Sequence, residues 1–250
     1  MLKKRLIPQL LISENRLVKT YKFSNQRYIG DPINAVSIFN EKKADEIFII
    51  DIKNYDYDKA PDFEYISKLA SECFMPFAYG GRISNLDTAK KIFDLGIEKI
   101  VIQKSAFLNN DIISDIANKY GSQSVVISID LKKNIFGNYH IYNKSINIEK
   151  KSDLIYYIDK FINLGAGEIL INCVDLEGTF NGLDNNILMA LKKKCKVPML
   201  LNGGLKNLDD AKKAFQNGAD GVVAGSYFVF YGKHRAVLIT YPEEEEIYRL

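Results

Sequence analysis

Asp130 ends the apolar run Val125-Val-Ile-Ser-Ile-Asp. A carboxylate placed there can serve as general acid or base once its surroundings tune its pKa, or it can simply cap a loop. The ends of other short apolar runs carry Gln9, Leu11, Asp51, Gly80-Gly81, Gln103-Lys104, Asp175, Glu177, Gly203-Gly204 and Gly225-Ser226. Of these, Gly203-Gly204 and Gly225-Ser226 make glycine turns that lead into helices. Exposed N–H groups at such turns form an anion site suited to phosphate, the plainer alternative being a tight strand-to-helix turn. Gly80, Gly81 and Lys104 offer a second anion grip, with Lys104 acting as a point charge. Asp51, Asp175, Glu177 and Thr179 are expected around the same mouth. At the opposite ends of the runs, Arg5, Glu46, Lys99 and Glu168 alternate in sign. They form either a structural ion-pair cluster or the gate of a channel.

Composition removes several chemistries. Cys73, Cys173 and Cys195 lie far apart, no Cys-x-x-Cys pair occurs, and His140 and His234 are the only histidines. A zinc cluster, a disulfide framework and a thioredoxin motif are therefore not expected, and no metal or cofactor is. A glutaminase would need a Cys-His-Glu arrangement, for which suitable partners are lacking. A net charge of +3, from 34 Lys and Arg against 31 Asp and Glu, is too balanced to suggest a nucleic-acid surface. No apolar run reaches the roughly 18 residues needed to cross a bilayer. Pro8 and Gln9 break the first apolar stretch, and no small-residue cleavage site follows it, so a signal peptide is not expected. A soluble, cytoplasmic protein is the expectation.

The elements that must position these groups repeat. Residues 76–104 align without gaps on residues 198–226, a shift of 122. Pro76, Gly81, Asn85, Leu86, Asp87, Ala89, Lys90, Lys91, Phe93, Gly96 and Val101 recur identically. Each half alternates apolar, β-branched runs with amphipathic stretches. The runs are Leu6–Leu10, Ile47–Asp51, Phe77–Gly80, Ile100–Gln103, Val125–Asp130, Ile169–Cys173, Met199–Asn202 and Gly221–Ala224. Runs apolar on nearly every residue suit strands covered on both faces. Helices are expected over Asp31–Glu41, Asp62–Cys73, Asn85–Leu95, Asp153–Asn163 and Asn207–Asn217, several opening on an Asp or Asn cap. Eight strands in two matching halves predict a single (β/α)8 barrel over residues 1–250, with an open doubly wound sheet as the alternative. In such a barrel the site lies at the C-terminal strand ends, with phosphate at the loops after strands seven and eight.

The combination resembles the HisF-like family, the cyclase subunit of imidazole glycerol phosphate synthase. Matching segments are Lys4-Arg5-Leu-Ile-Pro8, Val18-Lys19, Ile29-Gly30-Asp31-Pro32, Ala44-Asp45-Glu46, Gly80-Gly81, Asp130, Gly165-Ala-Gly-Glu168-Ile, Asp175-x-Glu-Gly-Thr179 and Gly203-Gly204. The resemblance implies that ammonia from a separate HisH-like glutaminase, docked at the barrel bottom, enters through a charged ring matching Arg5, Glu46, Lys99 and Glu168. It makes Lys19 and Asp130 the catalytic residues. The family's other catalytic aspartate falls at Leu11, its neighbouring Cys at Gln9, and Asp-x-Asp-Gly-Thr reads Asp175-Leu-Glu177-Gly-Thr. An aliphatic side chain cannot move a proton. The segments Tyr28-Ile-Gly-Asp-Pro-Ile-Asn34, Glu72-Cys-Phe-Met-Pro76 and Phe230-Tyr-Gly-Lys-His-Arg235 are similar to a branch of WbuZ type. That likeness implies ammonia delivery for turning an acetamido group of a phosphate- or nucleotide-linked surface sugar into an acetamidino group, with a sugar amidotransferase as a further partner. Histidine biosynthesis and a non-catalytic scaffold are the alternatives.

Overall fold

The computed structural model describes residues 4–53, 59–143 and 154–250. Eight parallel strands, β1 (Arg5–Ser13), β2 (Ile47–Asp51), β3 (Phe77–Gly80), β4 (Lys99–Ile102), β5 (Val125–Lys133), β6 (Glu168–Cys173), β7 (Met199–Asn202) and β8 (Gly221–Ala224), pair in chain order. β8 then pairs with β1, Arg5 opposite Gly221 and Pro8 opposite Ala224, so the sheet closes. The (β/α)8 barrel is confirmed, and the open sheet is excluded by this last pairing. Closure leaves no unpaired edge for the barrel strands.

The expected helices are present at Pro32–Glu41, Phe63–Glu72, Leu86–Asp94 and Leu208–Gln216, each capped by the preceding Asp or Asn side chain. The fifth runs over Leu154–Asn163, while Asp153 lies outside the described residues. Helices at Lys104–Leu108, Asp111–Tyr120 and Asn185–Lys192 complete the outer ring. The halves match down to their caps. Asn85 and Asn207, one repeat apart, each accept from the backbone N–H three residues on.

Three hairpins rise from the C-terminal end of the barrel, and none was read from the sequence. Arg16–Tyr21 and Ser24–Gly30 extend β1 as antiparallel strands. Tyr139–Ile141 folds back on the end of β5, and Phe230–Tyr231 pairs with Ala236–Val237. Their polar, turn-rich sequences hide the alternation that marks a strand. No helix among the described residues is long and apolar enough to cross a membrane.

Two apolar cores result. The outer one fills the space between strands and helices. The inner one takes one side chain from each strand: Ile7, Phe48, Ala78, Val101, Val126, Leu170, Leu200 and Val223. Because side chains alternate faces, residues two before and two after these also point to the barrel axis. That alternation sets the layers of the site.

Candidate functional site

Two residues below the inner core, the axis is closed by charge. Arg5 donates to Glu46 at 2.6 Å and lies 3.1 Å from Glu168, while Lys99 reaches Glu46 at 2.7 Å and Glu168 at 3.0 Å. Each cation thus bridges both carboxylates, and the four expected gate residues form one closed quartet. Burial works against the Arg5 charge, but Glu168 and Glu46 outweigh it and hold the guanidinium above its ordinary pKa. Glu168 keeps one buried oxygen, Oε2, without a hydrogen-bond partner among the described residues.

Two residues above the inner core the lining turns polar. Gln9 accepts from Asn202 Nδ2 at 2.8 Å. Asp130, one layer higher on β5, accepts from Asn172 Nδ2 at 3.0 Å on one oxygen and from Gln103 Nε2 at 2.6 Å on the other. Burial pushes the Asp130 carboxyl up to about 7, the Asn172 bond pulling the other way. Buried carboxylates prefer the neutral form unless a cation stands near, and here the donors are amides. Asn172 Oδ1 is a second buried acceptor without a partner. These two acceptors belong to β6, which presents Glu168, Leu170 and Asn172 inward in turn.

A cavity of about 540 Å³ opens above this floor, lined by Asp130, Lys19, Leu11, Gln103 and the glycine turns. Asp130 and Leu11 therefore share one chamber, with an aliphatic group at the position where the resemblance places a second aspartate. Lys19 is brought in by the first hairpin and buried, its ammonium donating to the Gln9 carbonyl at 3.1 Å. Burial lowers its pKa to about 8, opposed by Glu177. A carboxyl and an amine in one chamber thus both titrate near neutrality, a pattern typical of acid–base sites.

The glycine turns are forced by crowding. A Cβ on Gly203 would fall 2.5 Å from the Cys173 carbonyl oxygen, and on Gly81 2.6 Å from that of Asp51. Both glycines hold left-handed φ, at 108° and 123°, so the half-barrels share one turn geometry. The backbone N–H groups of Gly203, Gly204 and Gly225 find no acceptor among the described residues. Gly225 precedes the short helix Ser226–Val229, whereas the helix after Gly203-Gly204 starts only at Leu208. Gly80, Gly81, Lys104 and Ser226 also line the cavity.

The remaining mouth residues divide. Asp51 lines the cavity but is engaged by Arg82. Glu177 also lines it, and latches the first hairpin: it accepts from Thr20 Oγ1 at 3.0 Å and the Phe23 N–H at 3.2 Å. Burial raises its pKa, with Lys19 and these bonds opposing. Asp175 accepts from the Lys133 N–H at 2.8 Å and Thr179 donates to the Leu176 carbonyl at 2.7 Å; both stand off the cavity wall and order the loop.

Residues 5–235 match the model of the family described as histidine biosynthesis protein. The chain belongs to that family. It is 47% identical over 252 residues, 98% of both chains, to a protein of Leptospira interrogans provisionally named imidazole glycerol phosphate synthase subunit HisF. A Pseudomonas aeruginosa protein, provisionally named subunit hisF2 of the same synthase, shares 41% over 99% of both chains. The imidazole glycerol phosphate synthase subunit HisF of Streptococcus sanguinis shares 33% over 93% of this chain and 92% of its own.

Within this HisF-like barrel, the partners of Asp130 and of Gln9 are the residues the sequence leaves unassigned. Gln103 was read only as part of an anion loop, and Asn172 and Asn202 were not singled out. Their signal is present: each is a polar residue two positions beyond an inward apolar one, and burial there is costly unless a partner is supplied.

Proposed function

We propose that this chain is the ammonia-accepting subunit of a glutamine-dependent synthase complex. A separate HisH-like glutaminase docks at the barrel bottom, and ammonia crosses the Arg5, Glu46, Lys99 and Glu168 ring to the mouth. There it is used, or passed on, for amidation of a phosphate- or nucleotide-linked sugar, acetamido to acetamidino, in surface-glycan biosynthesis, together with a sugar amidotransferase.

The observation that carries this reading is the pairing of a complete four-charge ring below with Leu11 opposite Asp130 above. A purely structural plug needs no such set, since buried ion pairs often do no better than apolar replacements. Glu168 Oε2 and Asn172 Oδ1 support it: each is a buried acceptor open to an N–H donor, one at the entrance and one at the chamber floor. The apolar layer between them excludes water, so an uncharged NH₃ passes more readily than ammonium. At the mouth, Gly203, Gly204, Gly225 and Ser226 hold the phosphate beside Lys19. Asp130, which burial brings to titrate at about 7 so that both its forms are present near neutrality, orients the nitrogen and exchanges its proton.

The test is co-purification with the cognate glutaminase, followed by Lys99→Ala and Glu168→Ala. Docking should survive, glutamine hydrolysis should uncouple from amidation, and added ammonium should still support product. Absence of any glutaminase, or intact coupling in both variants, would leave the ring a structural plug.

The names of the relatives support a second reading, the synthase subunit of histidine biosynthesis. Leu11 opposes it. Assay with the cyclase substrate and free ammonium decides between the two.

A further inference from the structure

Beside the mouth lies a second cavity, of about 490 Å³. Its described lining holds four aromatic rings and three cations, Lys206, Lys233 and Arg235, and no carboxylate. Phe180 and Tyr227 belong to both cavities, so they form the shared wall. Lys206 stands two residues after Gly204, and Tyr227 follows Ser226. The outer cavity therefore begins where the glycine turns end.

The shared wall is a constrained piece of backbone. Phe180 is held at φ 60°, a left-handed conformation that large side chains rarely adopt. Arg235 packs its guanidinium 5.1 Å from the Phe180 ring centroid and donates to the Gly178 carbonyl at 3.2 Å. This ties the last hairpin to the loop after β6. Strain of this kind persists where the surrounding structure holds it, commonly at ligand sites.

An anion on the glycine turns would sit at the junction of the two cavities. From there a ligand extends inward to Asp130 and Gln103, and outward among rings and cations. A sugar monophosphate would occupy the inner direction alone. Three cations without a carboxylate suit more negative charge than one phosphate carries, and flat aromatic faces suit a heterocyclic base. We propose that the outer cavity is the nucleoside subsite of a nucleoside-diphosphate-linked sugar, whose diphosphate lies on the glycine turns and whose sugar enters the inner chamber. This rests on the reading of the turns as an anion site and narrows the substrate to the nucleotide-linked class.

Calorimetric titration of the full chain with UDP, GDP, CDP and ADP, against inorganic pyrophosphate, tests it. At least one nucleoside diphosphate should bind about tenfold or more tightly than pyrophosphate, the size expected for one stacked base. Tyr231→Ala, at an exposed ring of the outer cavity, should erase most of that advantage, and Lys233→Ala should weaken the nucleotide in a salt-dependent way. If every nucleoside diphosphate binds no better than pyrophosphate, or if Tyr231→Ala leaves the advantage intact, the subsite is wrong. Glutaminase co-purification, run in parallel, separates the two levels. Docking with no nucleotide preference overturns only the subsite, whereas failure to bind pyrophosphate at all overturns the anion site beneath it.

Discussion

Lys19 lies directly over Gly225: a Cβ built on that glycine would fall 1.7 Å from the lysine ammonium nitrogen and 2.6 Å from its Cε. Its φ of −109° is open to any residue, so it is the space the lysine occupies that favours glycine there. A buried ammonium therefore stands beside the Gly225 backbone, and in the proposed function β8 and the first hairpin together form one anion site.

Gly225→Ala should therefore displace Lys19 without unfolding the barrel. Phosphate affinity is expected to fall by about tenfold or more, since a charge-assisted contact is lost with the amide geometry. Phosphate titration of the variant checks this. Gly204→Asp should abolish binding, because its Cβ would meet the Gly182 carbonyl oxygen at 2.5 Å and its charge would oppose the anion.

The Asp130 carboxyl gives stability a defined pH dependence. Its native pKa, near 7, lies above that of an unfolded aspartate near 3.8, so the folded state binds more protons between those values. Its contribution is fully present below about pH 4 and is lost as pH rises through about 7. Asp130→Asn, which keeps the size and needs only a flipped Gln103 amide, should remove that decline. Thermal melts should show the variant matching the parent at pH 4 and exceeding it at pH 8. Lys19 acts in the opposite sense at higher pH, since its lowered pKa adds stability as pH rises from about 8 to about 10.5.

Cyclase turnover with free ammonium should be at least about 10²-fold below that of an ordinary family member, the usual worth of one general acid–base group. Leu11 lines the same cavity as Asp130 and offers no group that can carry a proton. Ordinary turnover would restore the histidine-biosynthesis reading.

The ring separates stability from transfer. Glu46→Ala strands Arg5 and Lys99 on a single carboxylate, and urea unfolding should show a loss of about 3 kcal/mol. Replacing all four members together, by Arg5→Met, Glu46→Leu, Lys99→Met and Glu168→Leu, should cost less than that single change, because no charge is left unpaired. Coupling to glutamine hydrolysis should nevertheless disappear in the fourfold variant.

Glu177→Gln should loosen the first hairpin. Its carboxylate accepts from Thr20 and Phe23 and its carbonyl from the Lys22 N–H at 3.1 Å. Charge-assisted bonds are roughly twice as strong as neutral ones, so cleavage near residues 22–26 by trypsin should accelerate several-fold. Unchanged protection would mean that the hairpin is held by its strand pairing alone.

Local sequence determined the barrel, its halves and the identity of its charged ring. Apolar runs of strand length, Asn85 and Asn207 caps and the 122-residue shift are short-range signals, and parallel strands joined by helices leave few ways to be arranged. The inward alternation of Arg5, Ile7, Gln9 and Leu11 likewise follows from the two-residue period of a strand. Tertiary structure alone decided the partners. Asp130 meets Gln103 and Asn172, Lys19 meets Gly225, and Glu177 meets Thr20 across 157 positions of chain. The first depends on the register of three neighbouring strands, and the other two on barrel closure and on a hairpin whose sequence carries no clear period. Adjacent loops and strand ends engage Asp51, Asp175 and Thr179 in loop-holding bonds, although their place after strands suggests a free mouth. A strand end specifies where a side chain emerges; which neighbour neutralises it is set by distances that only the closed sheet defines.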